Sequence, residues 1–172
     1  YTSPDVMDGL NFTLNFNPQS TTHKGETGYG VNYSGIEGLS ISYAVSDEET
    51  QAGANTSGDN TVIKASYAYG PVTVSYSEMD HDEGLASGAN DVEITSYALA
   101  YTISDELSVT YGSETSDKGN ATTDLEVEGI MISYTTGGMT ISANSMTIDN
   151  GNYGTAAAQD VDYWKLGASF AF

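Results

Sequence analysis

The amino-acid sequence predicts an all-β fold, and three features of the pattern along the chain predict it. Short segments recur in which apolar residues alternate with small polar ones, as at residues 39–43, 72–76 and 107–111. The connections between such segments alternate between short turns and long polar loops. The final segment, residues 161–172, also has a period of two and ends in aromatic residues. Period-two alternation indicates strands, and a strict rhythm of short and long connections is typical of a transmembrane antiparallel up-and-down β-barrel.

Counting along the chain predicts about eleven strands, from a short stub at residues 1–6 to a last strand at residues 161–172. Five similar segments begin at Leu10, Leu39, Val72, Leu107 and Met139, and their partner segments lie at residues 29–33, 63–69, 97–103 and 130–134. Short turns are predicted at residues 8–9, 34–38, 70–71, 104–106 and 137–138, and long loops at residues 17–26, 47–60, 80–91, 115–124 and 150–160. Residues 1–172 are therefore predicted to be a single transmembrane domain.

The composition excludes several classes of function. The chain carries 24 acidic residues against 4 basic ones, for a formal net charge of −20, so it lacks the clustered basic residues that bind nucleic acid. Only 16% of the residues are charged, whereas a soluble domain averages about 25%. The chain has no Cys, which excludes disulfides and thiolate metal sites. It also has no run of about 18 apolar residues, so a membrane crossing requires strands, which need about 9–11 residues each.

The apolar phase of each strand is predicted to face lipid, which directs the other phase into a water-filled interior. On this assignment six charged side chains line the lumen, namely Lys64, Glu93, Glu114, Glu126, Glu128 and Lys165. Because carboxylates outnumber ammonium groups in this set, the lumen is predicted to prefer cations. The apolar alternation shifts by one residue near Val92 and Val127, and a β-bulge in each strand would restore a single lipid-facing phase. With the other phase Glu93, Glu126 and Glu128 face outward near the extracellular rim.

Tyrosines near the strand ends are predicted to form a girdle at one membrane interface. Tyr33, Tyr69, Tyr101 and Tyr134 close strands that run into short turns. A tyrosine ring suits the lipid–water interface, because the ring is half buried there while its hydroxyl group is wet. The alternative is that these are ordinary tyrosines of a strand core.

The C-terminal segment carries a specific pattern. Trp164, Leu166, Ala168 and two phenylalanines share one phase, while the other phase holds Lys165 and Gly167. The segment resembles the terminal strand that the barrel-assembly machinery reads. This resemblance implies that Lys165, Gly167, Phe170 and Phe172 form the assembly signal.

The N-terminal residues Tyr1-Thr2-Ser3-Pro4 and Gly9-Leu10-Asn11-Phe12 resemble the strand–turn–strand that follows the constriction loop of general bacterial porins. The resemblance implies a sixteen-stranded, homotrimeric barrel in the outer membrane of a Gram-negative bacterium, which passes small hydrophilic solutes and ions without a cofactor. It also implies five upstream strands and a constriction loop before residue 1. General porins oppose acidic residues of the constriction loop with Arg side chains on the wall, which creates a field across the channel. This chain departs from that pattern, because it has no Arg.

Two other functional classes fit parts of the pattern. The translocation barrel of an autotransporter also ends in Phe, and a soluble or surface-attached acidic β-domain, such as an adhesin, would also contain short alternating strands. No spacing of a nucleophile and a base indicates an enzyme. Asp80, His81 and Asp82 are weak candidates for a divalent-metal site in a predicted loop, where solvated charges are the favoured interpretation. His23 falls in a predicted loop as well.

Overall fold

The computed structural model describes residues 1–18, 25–48, 58–84 and 87–171, and within these ranges ten strands form one antiparallel sheet. Each strand pairs with its neighbours in the sequence, so the order in the sheet is the order in the chain. This up-and-down arrangement confirms the predicted fold class. The strands are β1 (Leu10–Asn17), β2 (Glu26–Tyr33), β3 (Leu39–Glu48), β4 (Asp59–Tyr69), β5 (Val72–Asp82), β6 (Val92–Thr102), β7 (Leu107–Lys118), β8 (Leu125–Thr136), β9 (Met139–Asp149) and β10 (Val161–Phe170).

The predicted first strand at residues 1–6 is the one element that the structure does not contain. The segment lies beside β1 and makes only isolated bridges, between Thr2 and Thr13 and between Met7 and Leu10. The Ser3 amide still donates to the Phe12 carbonyl at 2.8 Å. Beyond Ser3 the pairing shifts by one residue, because the amide of Val6 rather than that of Asp5 donates to the Leu10 carbonyl, so the ladder is not continuous. The predicted count of eleven strands is therefore too high by one.

The turns follow the predicted rhythm. Tight connections join β2 to β3, β4 to β5, β6 to β7 and β8 to β9, and the remaining connections between strands are longer. Gly38 and Gly70 adopt φ values of 77° and 57°, and Gly137 and Gly138 adopt 55° and 81°. Glycine suits these positions because side chains disfavour a positive φ. The strands extend further into the longer connections than predicted, as at Asp82 and Lys118.

Two turn glycines differ in the space around them, which gives a matched stability test. A Cβ on Gly38 would lie 2.2 Å from the carbonyl oxygen of Ala68, whereas a Cβ on Gly70 meets nothing within 4 Å. We expect Gly70→Ala to cost only the left-handed strain of about 1–2 kcal/mol. Gly38→Ala should lose clearly more stability, because the added Cβ collides with the Ala68 carbonyl oxygen. Moving Ala68 away would also strain the hydrogen bond that its amide donates to the Gly38 carbonyl at 2.8 Å. Urea unfolding in lipid vesicles measures the loss of stability in both variants. Equal losses would contradict the conclusion that Gly38 is crowded and Gly70 is not.

The sheet has two chemically different faces. Cross-strand partners project to the same side of an antiparallel sheet, so the register alone assigns every strand residue to a face. The apolar face is the side of Ile41, and most of the exposed large hydrophobic side chains of the strands lie on it, including Leu14, Tyr67, Leu99, Ile132 and Leu166. The polar face is the side of Lys64 and is rich in Ser, Thr, Asn and Gly. No hydrophobic side chain in the described ranges is buried.

Candidate channel wall

Two hollows lie on the polar face of the sheet. One hollow lies over β3 to β6 and is lined mainly by small hydroxyl side chains around one ammonium group: Ser40, Ser42, Lys64, Ser66, Ser75 and Ser77. A second, over β6 to β9, contains Ser96, Thr110, Glu114, Asn144 and Met146. Small polar side chains with a few fixed charges are what a wetted interior wall requires. The polar face is therefore the candidate channel wall.

A single row of cross-strand partners shows how this face is charged. Asn32, Ser42, Lys64, Ser77, Ser96 and Glu114 follow one another across β2 to β7. The hydroxyl of Ser96 donates to Glu114 Oε2 at 2.8 Å, which fixes that carboxylate on the wall. The register also places on this face three Lys or Glu side chains beyond the predicted set, Lys118, Glu26 and Glu48. Lys165 lies on it as predicted, opposite Asn144.

Three of the six predicted lumenal residues lie on the other face. Glu93 projects to the same side as Tyr97 and Leu99, and Glu126 and Glu128 project to the same side as Ile130. The pairing of β6 and β8 with their neighbours is continuous, with no bulge to change the phase. The prediction that these three share a face with Lys64 is therefore wrong, and the alternative phase considered from the sequence is the correct one. Val92, Ile94 and Val127 instead occupy the polar face.

Carboxylates of the apolar face form a rim towards the longer connections. The rim contains Asp47, Asp59, Glu78, Asp80, Asp82, Glu93, Asp117, Glu126, Glu128, Asp149 and Asp162. Some accept hydrogen bonds from hydroxyls on the same face, such as Glu128 from Tyr111 at 2.8 Å. At the end of β4, beyond the apolar residues, a hydrogen bond with Asp47, followed by burial and by the charges of Asp47 and Asp82, raises the pKa of Asp59. Like charges are thus crowded along the rim.

The weak metal candidates do not form a site. Asp80, His81 and Asp82 belong to β5 rather than to a loop, because their backbone pairs with β4. Consecutive strand residues alternate in direction, so His81 projects to the polar face and the two aspartates to the apolar face. His81 Nδ1 instead lies 2.7 Å from Asn60 Oδ1. Among the described residues no group of three His, Asp or Glu side chains is placed to hold a metal ion. His23 lies outside the described residues.

Comparisons with known proteins agree with this geometry. No family model and no curated protein matches the sequence. An anion-selective porin from Comamonas acidovorans matches all of this chain and 58% of its own, with a TM-score of 0.76 and 16% identity. The outer-membrane-expressed OmpT of Vibrio cholerae matches 95% of this chain and 61% of its own, with a TM-score of 0.64 and 11% identity. The ten strands have the fold of a porin wall.

This chain spans less than two thirds of each of these two outer-membrane proteins. None of the described helices is long and apolar enough to cross a membrane.

The porin fold explains why no hydrophobic side chain in the described ranges is buried. In this fold the apolar side chains of the strands point outward rather than against a second layer.

The four predicted girdle tyrosines lie on one face of the sheet, near its short connections. Tyr33, Tyr69, Tyr101 and Tyr134 all lie on the apolar face, each close to a short connection. Tyr69 is the most open, with 76% of its surface exposed, and Tyr101 is 46% exposed. Their residence at a membrane interface stays a prediction.

The predicted assembly signal lies on β10, at one edge of the sheet. Lys165 and Gly167 occupy the polar face, and Phe170 occupies the apolar face opposite Met139. Phe172 lies outside the described residues. Recognition of this strand by the barrel-assembly machinery stays a prediction.

The hydrophobicity pattern does not identify every residue of the candidate channel wall. It predicts a long loop at Lys118, although β7 continues to that residue. Counting residues in steps of two from the short turn before Leu107 would have placed Ser116 and Lys118 on the polar face. A second missed residue, Tyr153, lies in a connection and has no periodic signal.

Proposed function

We propose that this chain forms part of the wall of a water-filled porin channel in the outer membrane of a Gram-negative bacterium. The channel would pass small hydrophilic solutes and ions by diffusion, without catalysis. The separation of an exposed apolar face from a small-residue polar face carries this proposal, because a sheet between lipid and water needs that separation. The absence of buried hydrophobic side chains in the described ranges argues against a soluble acidic β-domain, which would need a core.

The charges of the polar face support weak ion selectivity for this part of the wall. Its described strands carry three ammonium groups, on Lys64, Lys118 and Lys165, and three carboxylates, on Glu26, Glu48 and Glu114. The predicted cation preference rested mainly on Glu93, Glu126 and Glu128, which lie on the other face. We therefore infer that a cation preference would come from the acidic rim and loops at the mouth, whose field extends about 10 Å or less at physiological salt.

The proposal includes the oligomeric state of the channel and its route into the membrane. The resemblance to general porins supports a homotrimer of sixteen-stranded barrels. The resemblance of β10 to a terminal porin strand supports insertion by the barrel-assembly machinery. The apolar face, with Leu99, Ile132 and Leu166 each between 46% and 65% exposed, then contacts membrane lipid.

The deciding experiment is conductance of the full native protein in a planar lipid bilayer under a salt gradient. We expect stable open steps that occur in threes, with a small reversal potential. A large reversal potential favouring anions would contradict both the balanced wall and the acidic mouth, whereas one favouring cations would assign the selectivity to the rim and loops. A protein that inserts without conducting, or that is soluble without detergent, would refute the channel itself.

A further inference from the structure

The connection between β9 and β10, residues 150–160, lies on the polar face. Its first turn, Gly151–Tyr153, packs against β8. The hydroxyl of Tyr153 lies 2.8 Å from the hydroxyl of Ser116, and the Lys118 ammonium lies 5.9 Å from the centre of the Tyr153 ring. Both Ser116 and Lys118 project from β7 to the polar face. The connection thus folds over the wall instead of extending away from it.

Burial supports this placement. Ser116 is only 5% exposed, and apart from glycines it is the one buried residue in the described ranges. The other described strand residues of the polar face, Gly28 apart, are half-buried or exposed. Ser116 is therefore covered by this connection, with the Tyr153 hydroxyl in contact.

The backbone of the connection is held in an uncommon shape. Asn150, Asn152 and Tyr153 have φ values of 54°, 55° and 56°, in the left-handed region that non-glycine residues avoid. Such residues persist where their surroundings hold them. Here the Asn150 side chain donates to the Asp124 carbonyl at 3.0 Å, and the Asn150 amide donates to Asp160 Oδ1 at 2.9 Å. The connection is thus tied at its base and at Tyr153.

We propose that this connection is a constriction element of the channel mouth, fixed to the wall by Tyr153. It narrows the passage beside β7 and β8 and holds the Lys118 ammonium group next to the path of passing ions. This inference rests on the proposed function, because only a channel has an interior to narrow. Tyr153 is then a positioning residue, and Lys118 contributes directly to the selection of ions.

The covering of the wall is tested first by chemical labelling of single cysteines. Residues 1–172 contain no Cys, so each introduced thiol is the sole target among them. We expect Ser116→Cys to react with a water-soluble thiol reagent several-fold more slowly than Thr110→Cys, which lies on the same strand and the same face without this cover. Adding Tyr153→Ala to Ser116→Cys should abolish the difference, and Thr110→Cys should not respond. Equal rates in the parent variants would overturn the proposal.

Conductance then tests the narrowing. We expect Tyr153→Ala to raise the conductance of each step, and Tyr153→Phe, which keeps the ring over Lys118, to raise it less. Lys118→Gln should shift the reversal potential towards cations. If Ser116→Cys is protected but Tyr153→Ala conducts like the parent, the connection lies on the wall without narrowing it and the proposal is wrong. Failure of the proposed function shows separately, as no conductance by the unaltered protein.

Discussion

Replacing Ile132 by Arg is expected to cost about 2–4 kcal/mol of folding free energy in a lipid bilayer. Ile132 lies on the apolar face of β8, between Val109 and Ala143 on the neighbouring strands and four residues from the strand end at Thr136. That depth is near the middle of a hydrocarbon layer, where a guanidinium group has no water to hydrate it. Urea titration of the protein in lipid vesicles measures the loss.

The preceding residue provides the matched control. Met131 is apolar, is 45% exposed against 46% for Ile132, and projects to the polar face. We expect Met131→Arg to fold with nearly unchanged stability, because its charge enters water. If the two variants lose the same stability, the assignment of lipid to the apolar face is wrong. If only Met131→Arg loses stability, the polar face rather than the apolar face contacts lipid.

Neutralising Glu114 is expected to shift the ion selectivity of the channel towards anions by more than neutralising Glu128, which is one of many carboxylates of the rim. The two carboxylates lie on adjacent strands, and each accepts one hydroxyl hydrogen bond at 2.8 Å, from Ser96 and Tyr111 respectively. They differ in face, since Glu114 pairs with Val127 on the polar side and Glu128 with Ser113 on the apolar side. A unit charge about 10 Å from a passing ion in water is worth roughly 0.4 kcal/mol, up to about a twofold change in the local concentration of each ion, upward for one sign and downward for the other.

Reversal potentials of Glu114→Gln and Glu128→Gln under one salt gradient measure this difference. High salt should reduce the effect of Glu114→Gln, because the charge is screened. A shift with Glu128→Gln equal to that with Glu114→Gln would show that selectivity arises at the mouth, where both faces contribute, rather than on the wall.

Much of the fold could be predicted from the sequence because strand structure repeats every two residues. The alternation around Ile41, Val74 and Val109 gives each strand without any tertiary information. Glycine-containing short turns fix which strand ends meet. The pattern of residues 1–6 resembles a strand, but their pairing with β1 shifts by one residue between Ser3 and Val6, which has no signal in the local sequence.

It is harder to predict on which face of the sheet each carboxylate lies. Near the rim, the face that local hydrophobicity suggests differs from the face that the strand register gives. Val92 and Ile94 look like lipid-facing residues, yet continuous pairing places them on the polar face and Glu93 with Tyr97. At the rim a side chain of either face reaches water, so the sequence there is weakly constrained. The contact between Tyr153 and Ser116 joins residues 37 apart in the chain and has no local signature.

Continuous pairing without a bulge has a consequence for how such a chain tolerates insertions and deletions. One residue added inside β6 would move every side chain between the insertion and the strand end to the opposite face, exchanging Tyr97 and Leu99 for Ala98 and Ser96. One residue added to the connection at 150–160 shifts no strand register, although it disturbs the tie to Ser116. Changes of length should therefore accumulate in the long connections over evolutionary time, while the length between each short turn and its rim stays fixed.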